Sequence, residues 1–176
     1  QKLKRTASEG QHAYTAEMVS SMIQDADNLV RQEEFIPAEK LYIDIISHNP
    51  KNIDAYEGLG NLYIKSDQLE QARETLRFTL RLAPTDASVN VSLAELEMAE
   101  GNARVALEYL RKAIEKRGKN PKYLDYYIEA ALQAGALKDA RLGISALKKV
   151  NAENKKLEEF ERRFLDKKKA YISRTS

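Results

Sequence analysis

The sequence contains no cysteine and no tryptophan, and only two histidines, four prolines and seven glycines among its 176 residues. Without cysteine there is no disulfide framework, thiolate metal site or cysteine nucleophile, although this does not separate cytoplasm from periplasm. His12 and His48 have no cysteine partners and no His-x-x-x-His spacing, so neither a metal nor any other cofactor is expected. No run approaches the roughly 18 consecutive apolar residues that cross a bilayer, and the N-terminal QKLKRTASEG lacks the apolar segment of a signal peptide. The chain begins with Gln1 instead of Met, as a fragment or processed form would, so any membrane anchor would lie outside it. The expected setting is the cytoplasm, or the soluble part of a membrane-anchored protein.

Hydrophobic residues make up 43% of the chain and charged residues 32%, a balance that suits helices with one buried and one solvated face. The formal net charge of +2 is too even to point to nucleic acid or an anionic surface. It conceals a polarity along the chain. Residues 1–99 carry ten basic and sixteen acidic side chains, net −6, whereas residues 100–176 carry nineteen and eleven, net +8.

A repeat is visible at a period of 34. Ala38, Ala72, Ala106 and Ala140 share one column; Tyr42, Leu76, Leu110 and Ile144 form a large apolar one; Val30, Ile64, Met98 and Leu132 form another. Within a period, Tyr56, Leu59, Leu62 and Tyr63 fall on one helical face, and Leu69, Ala72, Leu76 and Leu80 on a second. Ser66-Asp67-Gln68 separates the two helices, and Pro84 with Asp86 ends the second and starts the next unit. Small residues at Gly60 and Ala72 would let the paired helices approach closely. The chain reads as a helical hairpin repeated four times.

Tyr56-Glu57-Gly58-Leu59-Gly60-Asn61-Leu62-Tyr63, followed by Ala72 and Pro84, resembles the tetratricopeptide repeat, whose pattern is an aromatic, Leu-Gly, Tyr, a later Ala and a terminal Pro. The resemblance implies an all-α, right-handed superhelical solenoid of antiparallel helix pairs, with units at 19–52, 53–86, 87–120 and 121–154. The outer units depart from the pattern: Asp25 stands where Leu59 and Leu93 stand, Asn90 replaces the aromatic, and Gly143 sits inside a helix at a cost of about 1 kcal/mol relative to Ala. Residues 1–18 would comprise a flexible segment and the start of the first helix, with residues 1–13 mobile. Residues 155–176 would hold a capping helix, starting near 152 with Asn151 as its cap, and a basic tail. On that helix Leu157, Phe160 and Phe164 share a face that would cover the last unit.

Enzymatic groups are sparse, and no catalytic site is expected. Gly58-Leu59-Gly60 lies on a helix face and lacks a following Gly-Lys-Ser/Thr, so it reads as packing and not as a phosphate loop. His48, near a helix end, reads as a partner of the helix dipole. Asn90-Val91-Ser92 fits the glycosylation sequon by chance.

The resemblance implies instead a noncatalytic scaffold for protein–protein interaction, which binds a peptide or partner domain on the concave surface lined by the first helix of each hairpin. Carried over residue by residue, that surface takes Asp27, Val30 and Arg31 from the first unit and Asp54, Glu57, Asn61, Ile64 and Lys65 from the second. The third supplies Ser88, Val91, Glu95 and Met98, and the fourth Lys122, Asp125, Glu129, Leu132 and Gln133. Val30, Ile64, Met98 and Leu132 would form an apolar line there, either as a ligand contact or as packing between neighbouring helices. Acidic residues outnumber Arg31, Lys65 and Lys122, so the implied partner is an amphipathic segment with basic residues. Members of this family that clamp a C-terminal carboxylate use basic and amide groups across three successive repeats. Asn61 and Lys122 match that clamp, but Glu57, Ser92 and Tyr126 stand where Lys, Asn and Arg belong, and Glu57 would repel a carboxylate.

Two other partner classes stay open. Lys148, Lys149, Lys155, Lys156, Arg162, Arg163, Lys167, Lys168, Lys169 and Arg174 could meet nucleic acid or an anionic surface, although acidic residues interleave and stacking aromatics are few. Self-association is the other, with the C-terminal helix of one molecule entering the groove of the next.

Overall fold

The computed structural model describes residues 12–175, which form nine α-helices and no strand. The helices are α1 Ala16–Arg31, α2 Phe35–His48, α3 Ile53–Lys65, α4 Leu69–Leu82, α5 Ala87–Ala99, α6 Ala103–Arg117, α7 Pro121–Ala134, α8 Leu137–Val150 and α9 Leu157–Thr175. Successive helices pair as hairpins, and each first helix also packs on the second helix of the preceding hairpin, giving an all-α solenoid.

The turns explain why the helices start and stop where they do. Asn52, Asp86 and Asn120 each cap a first helix, their side chains accepting from backbone N–H groups at Ala55, at Ser88 and Val89, and at Lys122 and Tyr123. Second helices have no side-chain cap; they are entered through a tight turn whose second-last residue is left-handed. Glu33, Asp67, Gly101 and Gly135 occupy that position at φ of 63°, 60°, 80° and 70°, again one period apart. Only the last two are glycine.

The repeat columns are buried as their spacing predicts. All four alanines of the 38/72/106/140 column are fully buried, and Tyr42, Leu76, Leu110 and Ile144 lie within the core. A Cβ added at Gly60 would stand 2.5 Å from Leu76 Cδ2, so the glycine sets how closely α3 and α4 approach. Gly143 has the same role: a Cβ there would stand 2.6 Å from Ile128 Cγ1 and 3.0 Å from Tyr127 Cδ1. Its cost to helix propensity is thus offset by close contact of α8 with α7.

The first helix starts within residues 1–18, and the last one starts later than expected. Residues 1–11 of the segment expected to be mobile lie outside the described residues, and α1 begins at Ala16, capped by Thr15, three residues before residue 19. Tyr14 is anchored: its ring stacks on His48 at 3.9 Å, and its backbone exchanges two 3.1 Å hydrogen bonds with the Asn49 amide. At the other end the final helix begins at Leu157, not near 152. Asn151 closes α8 by donating its N–H to Leu147 O at 2.8 Å, as Asn49 and Ala83 close α2 and α4 one period apart. The start signal is Asn154, in the column of Asn52, Asp86 and Asn120, whose Oδ1 accepts from the Lys156 N–H at 2.9 Å. Phe160 is buried at 2% exposure and lies 34 positions after Tyr126. In register and packing, α9 is the first helix of a fifth unit.

Candidate functional site

The first helices α1, α3, α5 and α7 line one side of the solenoid. Their side chains, with Tyr42 from α2, enclose a pocket of about 490 Å³. It takes Asp27, Val30 and Arg31 from α1, Asn61, Ile64 and Lys65 from α3, Glu95 from α5, and Lys122 and Tyr126 from α7. Eight of the seventeen residues carried over to the groove therefore meet in it, and Tyr126 joins them. Gly58 is what admits Tyr42: a Cβ at that position would strike the tyrosine ring. The ring crosses α3 there and sends its hydroxyl to Asp27 Oδ1.

The carboxylates are tied into the scaffold. Asp27 accepts from Tyr42, and Glu95 accepts from Tyr126; burial, then these hydrogen bonds, pushes both phenols above their ordinary range. Glu57 is drawn between helices, where it accepts from Ser88 Oγ at 2.7 Å and Ser92 Oγ at 3.2 Å. Burial raises its pKa above the usual carboxylate value, despite the opposing effect of the two serines. Asp125 accepts from Asn154 Nδ2 at 3.1 Å, with Lys156 Nζ at 3.3 Å. Glu129 takes two 2.8 Å hydrogen bonds from Arg163 and one of 2.9 Å from Gln133, and its pKa is lowered chiefly by Arg163. The acidic excess at the fourth unit is thus met by cations of α9 and its lead-in, and only the first three units keep it.

The apolar line divides. Leu132 is fully buried, Val91 is 5% exposed and Val30 7%, so these three are packing residues, Val30 showing only an edge to the pocket. Sharing the groove-facing register did not expose them, because neighbouring first helices pack against each other there. Ile64 and Met98 are half-buried, and of the two Ile64 lines the pocket. Asp54 is exposed but lies apart, in a groove of about 520 Å³ with Tyr14 and the α1 residues Val19, Ser20 and Ile23. Lys65 and Lys122 are exposed at the pocket, Lys122 near the Tyr126 ring at 5.9 Å, and Asn61 in the pocket wall has its Oδ1 buried with no hydrogen-bond partner among the described residues.

Asn90 is 2% exposed and donates through Nδ2 to Asp86 O at 2.7 Å, so in this fold the sequon is closed to a glycan. No group of three or more His, Cys, Asp or Glu among the described residues could hold a metal ion. No described helix is long and apolar enough to cross a membrane. What the sequence reading missed is the tie between α9 and the last carboxylates; the recurrence of the cap column at Asn154 was its signal.

A hairpin solenoid with an open side lined by first helices is the architecture of a recognition scaffold. Residues 29–96 match the family model described as tetratricopeptide repeat. Type IV pilus assembly protein PilF of Pseudomonas aeruginosa is 34% identical over 74 residues, covering 42% of this chain and 29% of that relative's length. A solved structure of Pseudomonas aeruginosa PilF superposes with a TM-score of 0.78 at 15% identity, over 89% of this chain and 71% of that one. YrrB, described as a TPR protein with an unusual peptide-binding site, gives 0.61 at 17% identity over 86% and 87%. Residues 29–96 are tetratricopeptide-repeat sequence, the whole chain has the all-α solenoid fold of solved structures of such repeats, and this fold supports a protein–protein interaction scaffold.

Proposed function

We propose that the concave face of α1, α3, α5 and α7 is a noncatalytic surface that holds a segment of a protein partner. The observation that carries this reading is Asn61 in the pocket wall: its amide oxygen is buried without a partner at a cost of roughly 1–3 kcal/mol, a penalty that a ligand N–H would remove if the amide turned toward the pocket. Around it, Ile64 supplies apolar contact, with half-buried Met98 in the same column one unit on, and Asp27 and Glu95 keep lone pairs beyond those their tyrosines use. The segment that fits is amphipathic, with an apolar side chain on Ile64 and Met98 and basic residues toward α1, α3 and α5. The peptide-binding YrrB is a precedent for the architecture, and the pilus-assembly PilF for a scaffold in an assembly, with neither partner carried over.

Peptides selected from a random 12-residue display library against the intact chain test this. Ile64→Asp with Met98→Asp should weaken the selected peptides at least tenfold at a temperature where circular dichroism shows the variant still folded, since both side chains pack on the core, and Lys65→Glu at the exposed rim should change the charge preference of the selection. Capture retained by the double variant would sink the groove.

A further inference from the structure

The chain carries a segment of the kind its groove is proposed to hold. Helix α9 has 19 residues, against 13 to 16 in the other first helices. Its opening turns are docked through Leu157 and Phe160, and Arg163 reaches Glu129. From Leu165 to Thr175 every residue is exposed. This far half runs past the α7–α8 turn, where Lys167, Ala170, Tyr171 and Arg174 border a shallow groove with Gly135 and Leu137. It holds Leu165 at 51% exposure and Tyr171 at 61%, with Lys167, Lys168, Lys169 and Arg174 against the single acid Asp166. The far half is thus a basic helix whose leucine and tyrosine border grooves of their own molecule yet stay more than half exposed, leaving apolar surface for a partner to cover.

We infer that the occupant of the groove is a second copy of this chain: the far half of α9 in one molecule docks on the concave face of α1, α3 and α5 in the next. This rests on the reading that the groove takes an amphipathic basic segment. The charges favour this pairing: residues 165–175 carry +3, and the face of α1, α3 and α5 carries Asp27, Asp54, Glu57 and Glu95 against Arg31 and Lys65, within a chain of net −6 before residue 100 and +8 after it. The α9 of the same molecule is held at the fourth unit by Phe160 and Arg163, so the α1–α3 end of its own groove is beyond its reach. The contact is heterologous, groove to tail, and propagates as an open chain unless the rotation closes a ring.

Sedimentation of the intact 20.0 kDa chain at about 100 μM and low salt should give a mass above the monomer that falls as salt is raised. Leu165→Asp with Tyr171→Asp alters exposed positions only and should give a folded monomer; so should Ile64→Asp with Met98→Asp. Mixed, the two variants retain one intact groove and one intact tail and should form a 1:1 dimer that does not extend. A wild-type monomer, or a tail variant that keeps the wild-type mass, overturns the inference. The groove reading fails separately: it falls if the library-selected peptides ignore Ile64→Asp with Met98→Asp, whatever the mass of the chain.

Discussion

Arg163 of α9 holds Glu129 of α7 through two parallel 2.8 Å hydrogen bonds, joining residues exactly one repeat apart. The pair joins neighbouring first helices, as Glu57 with Ser88 and Ser92 joins α3 to α5. The two carboxylates respond to pH with opposite sign. Glu129 is lowered from the ordinary 4.5, so its contribution is present above that value and is lost as pH falls through its folded pKa. Glu57 is raised from 4.5, so the folded form binds its proton more tightly and stability declines as pH rises from 4.5 through its folded pKa. Melts of Arg163→Ala should lose the dependence below 4.5, with a loss of about 1 kcal/mol at neutral pH for a half-exposed pair. Glu57→Gln should flatten the slope above 4.5. Unchanged profiles would mean that other groups set them.

Phe160 fills the place that Tyr126 takes one unit earlier, and it closes the core at Leu124, Ile128 and Leu147. Phe160→Ala should cost about 3 kcal/mol by calorimetry or denaturant titration, the loss for a buried phenylalanine. Hydrogen exchange should localise the effect to α7–α9, since a solenoid transmits packing only to neighbours. An unchanged melt would show that α9 does not dock.

The left-handed residue in each hairpin turn gives a third expectation. Gly101 and Gly135 take φ of 80° and 70° at no steric cost, whereas Glu33 at 63° bears the penalty of a β-carbon there. Glu33→Gly should therefore raise stability by about 0.5 kcal/mol, after allowing for the extra freedom of glycine in the unfolded chain. Asp67→Gly should gain less, because a short polar side chain tolerates this conformation better. Gly135→Ala should lose about 1 kcal/mol, although nothing within 4 Å would touch the new methyl. Stability curves that rank the three otherwise would refute the backbone origin of the effect.

Much of this architecture could be read beforehand because a solenoid writes its contacts at a fixed period. The alanine column predicts four tight helix crossings, and all four residues are fully buried. The groove was harder to read, since register states which side a residue faces but not whether the next helix covers it. Ile64 and Leu132 share a column, yet Ile64 is half-buried beside the open pocket while Leu132 is sealed between α7 and its neighbours. Charge was also misleading when counted without partners. Asp125 and Glu129 look like free groove acids until α9 places Lys156 and Arg163 on them. Gly143, a defect by helix propensity, is required by the closeness of Ile128.

Asn61 offers the sharpest separation of recognition from stability. Its Oδ1 has no partner among the described residues, so a leucine, with the same branching and heavy-atom count, should remove a buried polar penalty and raise stability by about 1 kcal/mol. The same change should weaken groove-selected peptides about tenfold, because the acceptor for a ligand N–H is lost. Gains in stability with losses in binding are the signature of a residue kept for recognition. Asn61→Leu that lowers the melting temperature, or that binds those peptides as the unaltered chain does, would instead assign the amide to the scaffold.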